Sequence, residues 1–221
     1  VDYMKKYGDR LETIGIPFEN ARLGLAVPSY VTINTIEELN ANKERFKGEI
    51  IGIDIGASLM NLTEDAVNDY DLQLKLMPSS GPTMTAFLQK SVEHNDWIVV
   101  TGWTPHWMFA RYDLKFLDDD KGVYGDTEHI AAVATKGFSG THPFVAAFFK
   151  NFRFTNEQLS ELMNIMEDYP LRELEGAKVW LKKHPEIVDL FLPSQTNNLT
   201  QLNGYETDRE NSLPAAGTGN Q

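Results

Sequence analysis

Apolar runs alternate along the chain with amphipathic segments of helical periodicity. The strand-like runs cover residues 21–28, 49–56, 72–78, 96–103, 114–120 and 129–135. The helical segments cover residues 2–12, 35–46, 58–70, 81–95, 142–152, 156–169 and 171–191, the last interrupted near Pro185. Strands that alternate with helices of this length predict βαβ units, and hence an α/β fold with mainly parallel sheets and flanking helices.

Local signals mark two of the helix starts. Thr35, followed three residues later by Glu38, is typical of a capping box, in which each side chain accepts a hydrogen bond from the backbone N–H of the other residue. Pro82 lies in the first turn of segment 81–95, where proline is favoured because the first N–H groups of a helix have no partner within it. We therefore expect helices to begin at both places.

Composition limits the kinds of function. The chain has 221 residues, a hydrophobic content of 42% and a formal net charge of −12. This charge argues against a nucleic-acid partner, because binding to phosphates requires a basic surface. The absence of cysteine excludes disulfides, thiolate metal sites and a cysteine nucleophile. The five histidines show no spacing typical of metal ligands, so we expect no metal site. The G-x-G-x-x-G spacing of dinucleotide-binding proteins is also absent, and we expect no cofactor.

The composition changes after Pro193. Residues 194–221 are polar, rich in Gly, Asn and Thr, and lack apolar periodicity, which predicts a flexible tail. Within it, LPAAG (213–217) is similar to a sortase sorting signal, with Ala216 where threonine is usual. A Pro/Ala/Gly linker of no special function is the favoured interpretation of this short motif.

A first candidate site lies where the apolar run 49–56 passes into the helical segment 58–70. The sequence there is DIGASL (54–59), with Gly56 and Ala57 ahead of Ser58 and Leu59. The N–H groups of Ser58 and Leu59 would be unpaired at the helix N-terminus, where the helix dipole also favours an anion such as a carboxylate. The alternative is an ordinary strand-to-helix turn that uses a glycine.

A second candidate site is TGWTPHW (101–107), directly after the apolar run 96–100. Ligands of open α/β sheets bind beyond the carboxyl ends of the strands, and an indole face there can hold a cation, above all a quaternary ammonium group. Trp103 is the main candidate, and a core or lid position is its alternative. His106 and Trp107 are further candidates, although a structural hydrogen bond and a core position are favoured for them. An enzyme that acts on a small cationic metabolite with His106 as base is a weaker hypothesis, since no serine or cysteine nucleophile pairs with it. Trp97 and Trp180 are expected in the core.

Three stretches resemble a known family. GIDIGASLMNLTEDAV, TGWTPHWMFARYDLKFLDDDKGVYGDTEHI and VATKGF are similar to the glycine betaine-binding (OpuAC/ProX-like) substrate-binding proteins of ABC transporters. The resemblance extends from about residue 2 to about residue 190. It implies a periplasmic-binding-protein type II fold, whose two lobes close on glycine betaine or a related quaternary ammonium solute. It also implies delivery to a membrane permease, an extracytoplasmic location with membrane or wall anchoring, and no enzymatic activity.

The resemblance assigns roles residue by residue. Trp103 corresponds to a tryptophan of the cage around the trimethylammonium group, while Ser58 and Leu59 correspond to the residues whose N–H groups hold the ligand carboxylate. No ligand contact carries over to His106 or Trp107. A site with these N–H groups favours betaines over choline, which has no carboxylate.

The sequence also departs from the family pattern. Segments resembling YVAWDSE and AWLPNTH, which supply two further cage tryptophans and a carboxylate-binding histidine in the family, do not occur in this sequence. Ile55 and Ser58 stand where the family has proline and glycine. We therefore expect one lobe to be incomplete, with a truncated, non-binding fragment as an alternative interpretation of function.

The expected organisation follows from the resemblance and the composition. Residues 1–48 are expected to form part of lobe 1, and residues 49–122 to form lobe 2. Residues 123–193 return to lobe 1 with the C-terminal helices, and residues 194–221 form the tail.

Overall fold

The computed structural model describes residues 6–193, so the predicted tail and its LPAAG motif lie outside the described residues. The strands are β1 Leu11–Pro28, β2 Glu49–Ile51, β3 Lys75–Met77, β4 Val100–Thr104, β5 Leu114–Phe116 and β6 Glu128–Thr135. The helices are α1 Glu38–Ala41, α2 Ser58–Asp69, α3 Gly81–His94, α4 Met108–Arg111, α5 Phe138–Thr141, α6 Pro143–Asn151, α7 Asn156–Glu167, α8 Glu173–Lys183 and α9 Pro185–Phe191. Short 3-10 turns cover Gly8–Arg10 and Lys43–Phe46. No helix among residues 6–193 is long and apolar enough to cross a membrane.

The sheet contains both parallel and antiparallel pairs. Its strands follow the order β3-β2-β4-β1-β5, with β6 also paired to β1. Strand β2 runs parallel to β3 and β4, as expected for βαβ units. All three pairs formed by β1 are antiparallel, and the alternation of strands and helices did not indicate this. The reason is that β1 does not enter the sheet through a βαβ connection.

Strand β1 joins two halves of the molecule. Its first part, Leu11–Ala21, pairs with β6, while residues 22–28 pair with β4 and β5. Between these parts the pairing register shifts from Glu19 to Ala21, and Asn20 adopts a positive φ of 64°. Asparagine tolerates this left-handed conformation better than most residues. Strand β1 is therefore one continuous element with a local irregularity where it passes between the halves.

The expectation of a helix over residues 2–12 is only partly met in its described part, where Lys6 and Tyr7 are helical. Gly8–Arg10 is a 3-10 turn and β1 begins at Leu11, ten residues before the predicted strand 21–28. The run TIGI (13–16) contains β-branched residues, which favour strand. The predicted helix therefore ends before this run, at the 3-10 turn.

Two clusters of buried side chains lie on opposite faces of the sheet. Because successive side chains of a strand point to opposite faces, Leu25 and Val27 of β1 join the first cluster while Ala26 joins the second. The first cluster also combines Phe46 with Leu59, so it spans the predicted lobe boundary at residue 48. We propose instead that the lobes divide near residue 20 and again between residues 124 and 128.

The C-terminal helices have a core of their own. Trp180, which is 1% exposed, packs there with Ile165, Ile187 and Phe191 from helices α7 and α9. Helix α8 ends at Lys183 and α9 begins at Pro185, so the predicted interruption near Pro185 is confirmed.

Helices α2 and α3 occupy the predicted segments, and Pro82 lies in the first turn of α3, as expected. The predicted helix over 35–46 is instead the short α1 followed by a 3-10 turn. Only part of the expected capping box forms there. The Glu38 carboxylate accepts the backbone N–H of Thr35 at 2.9 Å, whereas the Thr35 hydroxyl donates to that carboxylate at 3.3 Å. The short helices α4 and α5 were not predicted, since four residues are too few to show helical periodicity.

Candidate functional site

A cleft of about 830 Å³ lies between the two halves of the molecule. One wall includes Ser58 and Trp103 from the half built on β2 and β4. The facing wall includes Ile130 of β6 together with Leu159 and Met163 of α7. The structure therefore brings the two candidate sites of the sequence, which are 45 residues apart, to the same cleft.

Trp103 is fixed at the cleft wall by its position near the end of β4. Its backbone pairs with Leu23 of β1, and its half-buried side chain packs against both core clusters of the sheet. Trp103 is also one of the residues that line the cleft. A half-buried indole at such a position is held in place by its packing, while part of its ring stays accessible.

Ser58 and Leu59 begin helix α2. The N-cap residue Ala57 provides no side-chain hydrogen bond to the first turn, so a side chain does not satisfy the first N–H groups of this helix. Gly56 adopts a φ of 93° directly before the helix, a conformation that favours glycine. The side chain of Leu59 is 4% exposed and belongs to the core, so only its backbone N–H is suited to a ligand. Of this loop, Ser58 lines the cleft.

His106 is not among the residues that line the cleft. Its imidazole is 8% exposed, and its Nδ1 accepts the backbone N–H of Met108 at 3.1 Å. Burial lowers the pKa of His106 to about 4, so the ring is neutral at physiological pH. These surroundings match the structural hydrogen bond that was favoured for this residue.

Trp107 also lies away from the lining of the cleft. It packs against the second core cluster, and the Arg111 guanidinium lies 4.8 Å from the centre of its ring. These surroundings agree with the core position that was favoured for Trp107. Among the other tryptophans, Trp180 is buried, while Trp97 is half-buried with the Arg45 guanidinium 3.3 Å from its ring centre.

Several lining residues were not singled out from the sequence. Arg22, Tyr124, Asp126 and Glu128 all line the cleft, and the two carboxylates are exposed there. The Tyr124 hydroxyl donates to Thr63 Oγ1 at 3.1 Å, and burial raises the pKa of this tyrosine. Three of these residues lie in the segment VYGDTEHI, which carries part of the family resemblance. That resemblance was the signal in the sequence that could have identified them.

The fold is that of a two-lobed, type II periplasmic binding protein. The crystal structure of a ProX glycine/betaine/L-proline-binding protein from Borrelia burgdorferi matches with a TM-score of 0.68 and 35% identity. The match covers 88% of this chain and 74% of that one. Lactococcal OpuAC, in its closed conformation complexed with glycine betaine, matches with a TM-score of 0.66 and 35% identity, over 87% of this chain and 75% of that one.

A family model described as the substrate-binding domain of the ABC-type glycine betaine transport system, OpuAC, matches residues 2–183. The chain belongs to this family. It is 44% identical over 166 residues to the glycine betaine/carnitine transport binding protein GbuC of Listeria monocytogenes. This alignment covers 74% of the chain and 54% of the length of GbuC. The chain thus spans about half of that relative. These relatives are transport binding proteins.

Proposed function

We propose that the chain acts as a substrate-binding protein of an ABC importer, which captures glycine betaine or a related quaternary ammonium solute for osmoprotection. One observation carries the proposal: Trp103 and Ser58, the first residue of helix α2, line the same cleft. Membership of the glycine betaine-binding family supports it.

The chemistry of a betaine fits these two features. Its trimethylammonium group has no N–H to donate, so an aromatic face is a suitable partner for its charge. Its carboxylate needs N–H donors, which the first turn of α2 offers together with the positive end of the helix dipole. Trp103, Ser58 and the backbone of Leu59 are the residues we assign to these roles, with Gly56 and Ala57 shaping the loop before the helix.

The placement of the cleft supports capture by closure of the lobes. Its lining comes from both halves of the molecule, with Trp103 on one side and Leu159 on the other. Movement of the halves toward each other would remove water from a bound solute and strengthen both of its electrostatic contacts. A betaine is favoured over choline because only the betaine uses the N–H groups of α2.

The remaining parts of the proposal follow from the family. The partner for delivery is the permease of an ABC transporter, and the location is extracytoplasmic. Anchoring to the membrane or the cell wall keeps such a binding protein near its permease. No nucleic acid, metal or cofactor takes part in this function.

Equilibrium dialysis of the chain against radiolabelled glycine betaine tests the proposal. We expect saturable binding that Trp103→Ala weakens at least about 30-fold, because a desolvated cation–π contact is worth about 2 kcal/mol. Trp97→Ala is the matched control, since Trp97 is also half-buried but lies outside the cleft lining, and it should leave the affinity unchanged.

Other outcomes distinguish the alternative functions. Recovery of chemically altered betaine would indicate an enzyme and contradict the proposal. Absence of binding by a chain with a folded circular-dichroism spectrum would indicate a non-binding fragment. Equal weakening by the two tryptophan variants would contradict the assignment of Trp103. Choline and carnitine, dialysed in parallel, report the class of solute.

A further inference from the structure

The imidazole of His106 touches the indole of Trp103 from behind the cleft wall. Their ring centres are 4.4 Å apart, and the ring planes meet at 78°. This is an edge-to-face arrangement, the favoured geometry for neighbouring aromatic rings. His106 itself is not a lining residue, so its contact with the cleft passes through Trp103.

His106 is in turn held in a defined orientation. Its Nδ1 accepts the N–H of Met108 at 3.1 Å, which fixes the rotation of the ring and leaves the proton of the neutral form on Nε2. The indole of Trp107 lies against it, with ring centres 5.3 Å apart and planes inclined by 31°. Arg111 stacks on that indole at 4.8 Å. The imidazole is therefore held between two indoles and bonded to the backbone at the start of α4.

We propose that His106 is a positioning residue, which holds the indole of Trp103 in the orientation needed to receive a cation. Its part in affinity rests on the proposed function, whereas its effect on the mobility of Trp103 does not depend on any ligand. Orientation matters here because a cation must lie over the face of the ring to interact with its quadrupole.

Two substitutions separate the contacts of His106. His106→Asn keeps an acceptor for the N–H of Met108 and removes the ring beside Trp103. His106→Phe keeps a ring and removes the acceptor. We expect His106→Asn to weaken binding of glycine betaine about three- to tenfold, the range for loss of one aromatic pair. His106→Phe should lower stability but keep the wild-type affinity. If His106 had a purely structural role, the affinity would follow the stability. His106→Phe would then bind glycine betaine more weakly than His106→Asn.

A spectroscopic measurement tests positioning without ligand. In protein labelled with 5-fluorotryptophan, Trp103→Phe assigns the ¹⁹F resonance of Trp103. We expect this resonance to be single in the wild type and in His106→Phe, and to broaden or split in His106→Asn. An unchanged Trp103 resonance in His106→Asn would overturn the proposal. If the wild type binds no betaine, the proposed function fails, while this result still decides the role of His106.

A measurement on the unmodified protein covers the case in which a variant does not fold. The ¹⁵N relaxation of the Trp103 indole Nε1–H should show an order parameter as high as that of Trp180, which is 1% exposed. A mobile Trp103 indole in the wild type would show that His106 does not hold it, and would contradict the proposal.

Discussion

The imidazole of His106 is buried in the folded protein, and this burial lowers its pKa from the ordinary value of 6.5 to about 4. Between these pH values the unfolded chain binds a proton at His106 and the folded chain does not. The free energy of unfolding that depends on neutral His106 is therefore fully present above about pH 6.5 and decreases as the pH falls toward 4. His106 therefore lowers the stability of the folded protein as the pH falls below about 6.5.

His106→Phe removes this titration and provides the comparison. We expect the stability of the wild type to fall relative to that of His106→Phe as the pH is lowered from 7.5 to 5. Urea unfolding of both proteins at several pH values measures the difference, in which other titrating groups cancel. Parallel pH profiles would show that the pKa of His106 is not lowered by folding.

The segment TGWTPHW shows how far residue-level prediction could go. The sequence placed it at the end of a strand and selected Trp103 as the main candidate, and the structure puts that indole in a cleft lining. The separate environments of Trp103 and Trp107 depend on the pairing of β4 with β1, in which Trp103 lies opposite Leu23, 80 residues earlier. Such distant pairing leaves no trace in the local pattern.

Among the helices, α7 has the complete capping box of the described chain. The Thr155 hydroxyl accepts the N–H of Gln158 at 3.2 Å, and the Gln158 side chain accepts the N–H of Thr155 at 2.9 Å. This start matters for the cleft because α7 carries Leu159 and Met163 of its lining. The cap therefore fixes the beginning of one cleft wall.

Thr155→Ala should lower the free energy of unfolding by about 1 kcal/mol, the usual value for loss of an N-cap side chain. Thr35→Ala should cost less, because the Thr35 hydroxyl donates to Glu38 and does not accept a helix N–H. Urea denaturation of the two variants tests this order. A larger loss for Thr35→Ala would contradict the assignment of the caps.

The success of prediction at the level of elements depended on the length and regularity of each segment. Helices α2 and α3, with 12 and 14 residues, have clear periodicity and were predicted nearly to their ends. Strand β1 was predicted only over its second part, since Gly15 and Pro17 interrupt the apolar residues of its half-buried first part. Its partner β6 is mostly exposed, so burial of one face does not require apolar and polar residues to alternate along it.

At the scale of the whole molecule, the cleft depends on how β1 connects the two halves. The alternation of elements predicted an α/β fold, and the family motifs predicted two lobes, both of which the fold and the comparisons confirm. The expected division at residue 48 came from the family resemblance and the order of the segments along the chain. The core cluster that combines Phe46 with Leu59 depends on three-dimensional packing, which chain order does not contain.

The central claim is that a betaine lies between the indole of Trp103 and the first turn of α2. Nuclear Overhauser effects between the methyl protons of bound glycine betaine and the tryptophan rings test it most directly. We predict contacts to the ring of Trp103 and none to that of Trp97, together with shifts of the Ser58 and Leu59 amide resonances on binding. Contacts to a different tryptophan, or bound betaine with no contact to Trp103, would contradict the account.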